Sequence, residues 1–211
     1  MTQHGEDEFD RLKGWWQDYG NYLLAGVLFG LALILGWRFY QSHLNGQAVQ
    51  ASEYYEQLKV AVARDDAPSI QALEQTLRER FGSSPYAALG EFEVAHRAVG
   101  KEDLATARDA LQRALELAKG DPLSDLARVR LAQVQMAQEG PEPALATLKA
   151  ISHDSPFVAL SEEVKGDALR LLGRLDEARE AYRAAQQAAV KAEMDDRLIG
   201  LKLKDLGGET S

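Results

Sequence analysis

Proline placement constrains this chain more than any other feature. Pro68, Pro85, Pro122, Pro141, Pro143 and Pro156 all fall between stretches of helical apolar periodicity and never inside one, as suits a residue tolerated in a helix's first turn but not in its interior. Three follow residues that cap helices well, in Ser84-Pro85, Asp121-Pro122 and Ser155-Pro156. Gly82, Gly100, Gly120, Gly140 and Gly173 fall where helices would stop. No stretch alternates apolar and polar residues for long enough to read as a strand. The expected fold class is therefore all-α, and with 45% apolar and 27% charged residues the chain can bury a core.

The punctuation also repeats. Pro85-Tyr86-Ala87-Ala88-Leu89 resembles Pro156-Phe157-Val158-Ala159-Leu160, and Pro122-Leu123-Ser124-Asp125-Leu126 is a looser copy between them. These prolines are 37 and 34 residues apart. Ten residues after each stands a small residue (Ala95, Ala132, Gly166), and twenty-two after each an alanine (Ala107, Ala144, Ala178). Leu111, Leu148 and Tyr182 follow four later, then Ala114, Ile151 and Ala185. The longer first interval places its extra residues at 118–121, after the second helix, where an insertion only lengthens a loop.

A unit of about 34 residues with these small, bulky and closing positions resembles the tetratricopeptide repeat. Ala159 to Val190 matches best, with Gly166, Leu169, Gly173, Ala178, Tyr182 and Ala185 at the family's positions around GRLDEAREAYRAA. The family's early Trp is absent from all three units, and the last lacks a closing Pro. Val49 to Val62 and Ser69 to Phe81 read as two further helices, and Ala192 to Leu206 as a terminal cap. The resemblance implies stacked helix pairs whose first helices line an inward groove. Carried over residue by residue, the groove positions are Phe92, His96 and Val99 in the first unit, Val129, Gln133 and Met136 in the second, and Glu163, Asp167 and Arg170 in the third. The Lys and Asn set by which some such repeats clamp a peptide's C-terminal carboxylate is missing, with Phe92 and His96 in its place. The groove either holds an amphipathic or unfolded partner segment, or is filled from within by the helix bearing Tyr54, Tyr55 and Leu58.

Ahead of the repeats, Tyr19 to Trp37 runs for 19 residues without a charge. That run reaches about 28 Å as a helix, close to the hydrocarbon thickness of about 30 Å. Trp15, Trp16, Tyr19 and Tyr22 stand at one end and Trp37, Phe39 and Tyr40 at the other, where amphipathic rings favour the headgroup zone. A cleaved signal peptide needs a basic leader and a nearby small-x-small site; residues 1–18 are net acidic, and Gly46-Gln47-Ala48 follows a polar, aromatic stretch. An uncleaved anchor is expected. Arg11 and Lys13 precede the span against Arg38 after it, a slight positive-inside bias for a cytoplasmic N-terminus. Gly26 and Gly30 form a GxxxG face on which another helix could pack closely.

Catalytic equipment is missing. The sequence has no GxSxG, HExxH, P-loop or Rossmann glycine run, and its lack of cysteine removes thiolate nucleophiles, disulfides and Cys-type metal sites together. His4, His43, His96 and His153 are isolated from one another. Adjacent acids such as Asp65-Asp66, Glu162-Glu163 and Asp195-Asp196 point to different sides of a helix and read as solvated faces. A net charge of −9 disfavours nucleic acid as a partner. No enzyme activity, cofactor or metal is expected.

The stretches GWWQDYGNYLLAG and QASEYYEQL, in order around the span, give the chain a resemblance to the YfgM family of ancillary SecYEG translocon subunits. That resemblance implies a single-pass protein of the bacterial inner membrane. Its parts would be a cytoplasmic tail (1–18), a transmembrane helix (19–40), a periplasmic tetratricopeptide-repeat-like domain (41–206) and a flexible tail (207–211). The implied partners are the SecYEG translocon, a PpiD-like membrane-anchored chaperone and unfolded secretory clients, which links protein export to periplasmic folding. A scaffold for outer-membrane assembly or cell division would share the anchor and repeats.

Overall fold

The residues that punctuate the sequence also start and stop helices in the computed structural model, which describes the backbone of residues 3–207 and the side chains of 25, 26, 28–38 and 46–207. Nine α-helices and no strand occur among the described residues: α1 (Gln3–Ala63), α2 (Ala67–Phe81), α3 (Pro85–Gly100), α4 (Leu104–Leu117), α5 (Leu123–Gln138), α6 (Pro141–Leu148), α7 (Val158–Leu171), α8 (Leu175–Lys191) and α9 (Arg197–Asp205). The tail expected at 207–211 lies outside the described residues except for Gly207. Ser84 caps α3 as its sequence suggests, its hydroxyl accepting from the Tyr86 N–H. Asp121 and Ser155 do not cap. Helices α5 and α7 start later, at Pro122 and Phe157 as N-caps, and the two side chains instead accept from the N–H two residues on, at 2.8 and 3.2 Å. Each makes a local side-chain turn that leads the chain into its helix.

Left-handed backbone ends several helices, and glycine is not always the residue that adopts it. Gly120, Gly140 and Gly173 have φ of 86°, 102° and 73°, but Asp65, Glu102 and Glu193 have φ of 56°, 60° and 55°. Gly100, which reads as a stop, is the last residue of α3 and the reversal falls two residues later. A Cβ in this region is strained. Glu102→Gly and Glu193→Gly should each raise stability by about 0.5–1 kcal/mol, after the added unfolded-state entropy is subtracted; urea midpoints test this. The Asp65 carboxylate accepts from Lys101 and Arg97, which holds its pKa below the usual range.

The chain divides into two units, one up to Val49 and one from Gln50 onward. In the first, the described large apolar side chains, from Leu28 to Trp37, are at least half exposed. No helix among the described residues is long and apolar enough to cross a membrane, and the side chains of 19–24, 27, 39 and 40, which belong to the expected span, lie outside the description.

The second unit is a stack. Helices α3 and α4, α5 and α6, and α7 and α8 pack as pairs; α4 meets α5 and α6 meets α7 to join them, while α2 and α9 close the two ends. The phase follows the sequence repeat. Ala107, Ala144 and Ala178 are fully buried, as are or nearly are Ala95, Ala132, Leu111, Leu148, Tyr182, Ala114 and Ala185. The apolar core is three clusters, one around Leu58, Leu77 and Leu111, one around Val129, Leu148 and Val164, and one around Leu169, Tyr182 and Leu203. Each repeat thus buries its face only against its neighbours.

Candidate binding groove

Helices α3 and α5 face each other across an open groove of about 750 Å³. Phe92, His96 and Val99 share one flank of α3 because they lie four and three residues apart, and with Leu89 they form its wall. The facing wall is the α5 stripe Leu126, Arg130, Gln133 and Ala137, and Leu104 and Leu111 of α4 close the floor. Arg130 donates to Gln133 Oε1 at 3.1 Å and has no carboxylate partner among the described residues.

The N-terminal helix of this unit ends the groove without filling it. Leu58 is fully buried in the core, and Tyr54 packs on Phe81 at 5.5 Å between ring centroids. Tyr55 reaches the groove's edge, where its hydroxyl donates to Glu93 Oε1 at 2.9 Å. Burial, then the Glu93 carboxylate, pushes the Tyr55 phenol up to about 12. Glu91, two residues earlier, turns the other way and is buried against Arg113 and Arg78. Neither glutamate forms a side-chain hydrogen bond to His96, and no group of His, Asp and Glu among the described residues is arranged to hold a metal.

Of the positions carried over from the repeat pattern, Phe92, His96, Val99 and Gln133 line the groove. Val129 and Met136 do not, because they sit on the other flank of α5. There Val129 is fully buried with Ala144, Leu148 and Val164, and Met136 packs on the same cluster beside Leu160. The family pattern fixes a position along a helix, but α5 has a neighbour on each side. Its 126/130/133/137 flank meets α3 across open space, whereas its 129/136 flank meets apolar side chains of α7 and closes into core. In the third unit, Lys202 of α9 donates to Glu163 at 2.7 Å and Asp167 at 2.8 Å, so the cap covers that end. Burial opposes the Lys202 charge, but the two carboxylates outweigh it and hold its pKa above the usual lysine range. Arg170 is exposed in the last turn of α7. The lining residues Leu126, Arg130 and Ala137 were not legible in the pattern, since their role depends on which helix they face.

Stacked helix pairs with small residues at the close contacts and an open flank between first helices define a helical-repeat protein, a class that works through extended binding surfaces. The chain belongs to the tetratricopeptide repeat-like domain family, whose family model matches residues 13–208. Over nearly its whole length it is similar to the ancillary SecYEG translocon subunit of Escherichia coli strain K12, at 28% identity over 206 residues, 98% of each chain. The protein of that name from Haemophilus influenzae is 27% identical over 201 residues, 95% of this chain and 97% of the relative. That from Aggregatibacter actinomycetemcomitans is 27% identical over 205 residues, 97% and 98%.

Proposed function

We propose that this chain is an ancillary subunit of a SecYEG-type translocon, a membrane-anchored module that binds proteins at the export site and passes emerging chains to envelope chaperones. The near full-length similarity to three such subunits, joined to an open, largely apolar groove, carries this reading. Residues 19–40 are the anchor, with 1–18 cytoplasmic and the repeats periplasmic. Support for the anchor comes from the uncharged run and from the described side chains between Leu28 and Trp37, which are apolar on every side of the helix and exposed, the pattern of a helix meant for an apolar surrounding. A Cβ built on Gly26 or Gly30 meets nothing within 4 Å, which leaves that face free for a helix of the translocon. Anchoring raises the effective concentration of the groove toward partners on the same membrane, so weak contacts suffice.

Site-specific photocrosslinkers at Gln133 and Gly30 in intact membranes test this. Gly30 should yield a translocon subunit, and Gln133 a membrane-anchored chaperone or a nascent secretory chain. Gln133→Trp and Phe92→Asp should cut the groove products about tenfold, as expected for losing a central anchor, with Gln133→Trp leaving the unfolding midpoint unchanged. Gly26→Leu with Gly30→Leu should weaken recovery of the translocon in detergent. Products lacking any translocon subunit, or a reporter after residue 207 that reads out in the cytoplasm, would refute the proposal.

A further inference from the structure

The second helices of the three pairs differ in length: α4 has 14 residues and α8 has 17, but α6 has only 8. It ends at Leu148, and residues 149–157 follow as turns and loop. Six to nine residues of helix, about 9–14 Å, are therefore missing from the outer layer where α6 would continue across α7 and α8. Two hollows of about 370 and 410 Å³ open there, and they share His153, Val158, Glu162, Lys165, Leu169 and Glu177, so they form one cleft. It lies between α6, α7 and α8, and shares no lining residue with the groove between α3 and α5.

The cleft has the features of a helix seat. Its floor is apolar, with Leu145, Val158 and Leu169, and its α8 side presents Ala181 and Ala184, small residues that let a second helix approach closely. Two of its charge pairs are neutralised internally, Lys165 with Glu162 at 2.9 Å and Arg174 with Glu177, while Glu180, which lines only the second hollow, has no ion pair among the described residues and marks the end of the cleft away from α6. Lys149, at the C-cap of α6 and on the cleft's rim, has no ion pair and no side-chain hydrogen bond among the described residues. In a chain of net charge −9, an unpaired lysine over an apolar cleft fits an acidic side chain on whatever docks there.

We infer that this cleft seats a short amphipathic helix of a partner protein, with its apolar stripe on the floor and an acidic residue at Lys149, completing the layer that α6 leaves short. The surface is separate from the α3–α5 groove, so one chain holds two partner segments at once.

The test uses the full chain in detergent and a fluorescein-labelled helical peptide of about four turns, a length at which a stabilised helix persists in water. The peptide carries a leucine stripe and one glutamate; a counterpart has lysine in place of the glutamate. The glutamate peptide should bind about fivefold more tightly than its counterpart, the scale of one exposed ion pair, and Lys149→Glu should invert that order. Ala184→Trp, at an exposed position, should abolish binding of both while the unfolding midpoint stays fixed. Gln133→Trp, which tests the groove, should leave both unaffected. Loss of binding with Gln133→Trp instead of Ala184→Trp, an order unmoved by Lys149→Glu, or no binding by either peptide would overturn the inference without touching the proposed function.

Discussion

Gly166→Ala is expected to destabilise the fold by about 2 kcal/mol, although helix propensity alone favours the change by about 1 kcal/mol. The reason is a close approach between α7 and α8 at this position. A Cβ at position 166 would lie 2.5 and 2.6 Å from two carbons of the Tyr182 ring, and Tyr182 is itself fully buried, so the ring has nowhere to go. Overpacking of this kind costs about 3 kcal/mol, which outweighs the propensity gain. Its hydroxyl is also fixed, donating to Asp167 Oδ1 at 2.7 Å. The equivalent pairs in the other units are Ala95 with Leu111 and Ala132 with Leu148, where a methyl faces a smaller side chain. Gly166→Ala combined with Tyr182→Leu recreates that pairing and should recover most of the lost stability. Equal urea midpoints for the single and double variants would show that the two positions are not coupled through the ring.

Arg113→Ala is expected to cost about 3 kcal/mol at pH 8 and much less at pH 5, because it leaves a buried carboxylate without its best partner. Glu91 is 1% exposed and accepts from Arg113 Nε at 3.0 Å, with Arg78 at 3.5 Å and Glu74 sharing both arginines. Burial pushes the Glu91 carboxyl from 4.5 up to about 6, against the pull of Arg113. A carboxyl raised on folding binds its proton more tightly in the native state, so its contribution is complete below pH 4.5 and is lost as pH rises through about 6. For the parent chain that loss is about 2 kcal/mol. Removing Arg113 raises the native pKa further and extends the loss to higher pH, which makes the deficit of the variant grow with pH. Urea unfolding at the two pH values measures it; a deficit equal at both would mean that Glu91 titrates normally.

The residues that set helix phase were legible because each acts within its own hairpin. Ala107, Ala144 and Ala178 must be small wherever two successive helices cross, whatever the rest of the chain does, and the prolines and caps act on the turn next to them. Glu91 was not legible in this way. In sequence it is one acid among 33, and its burial depends on arginines 13 and 22 residues away on two other helices. The shortness of α6 was only half visible, since Gly140 and Pro141 mark its start but no breaker marks its end.

The groove shows the same division. Sequence periodicity alone determined an all-helical stack in the right phase and put Phe92, His96 and Val99 on one flank of α3. Only the tertiary structure decided that the opposite flank of α5 faces them and that Val129 and Met136 close against α7. A helix's pattern records which residues share a side, but which side stays open is set by the neighbours that other parts of the chain bring beside it.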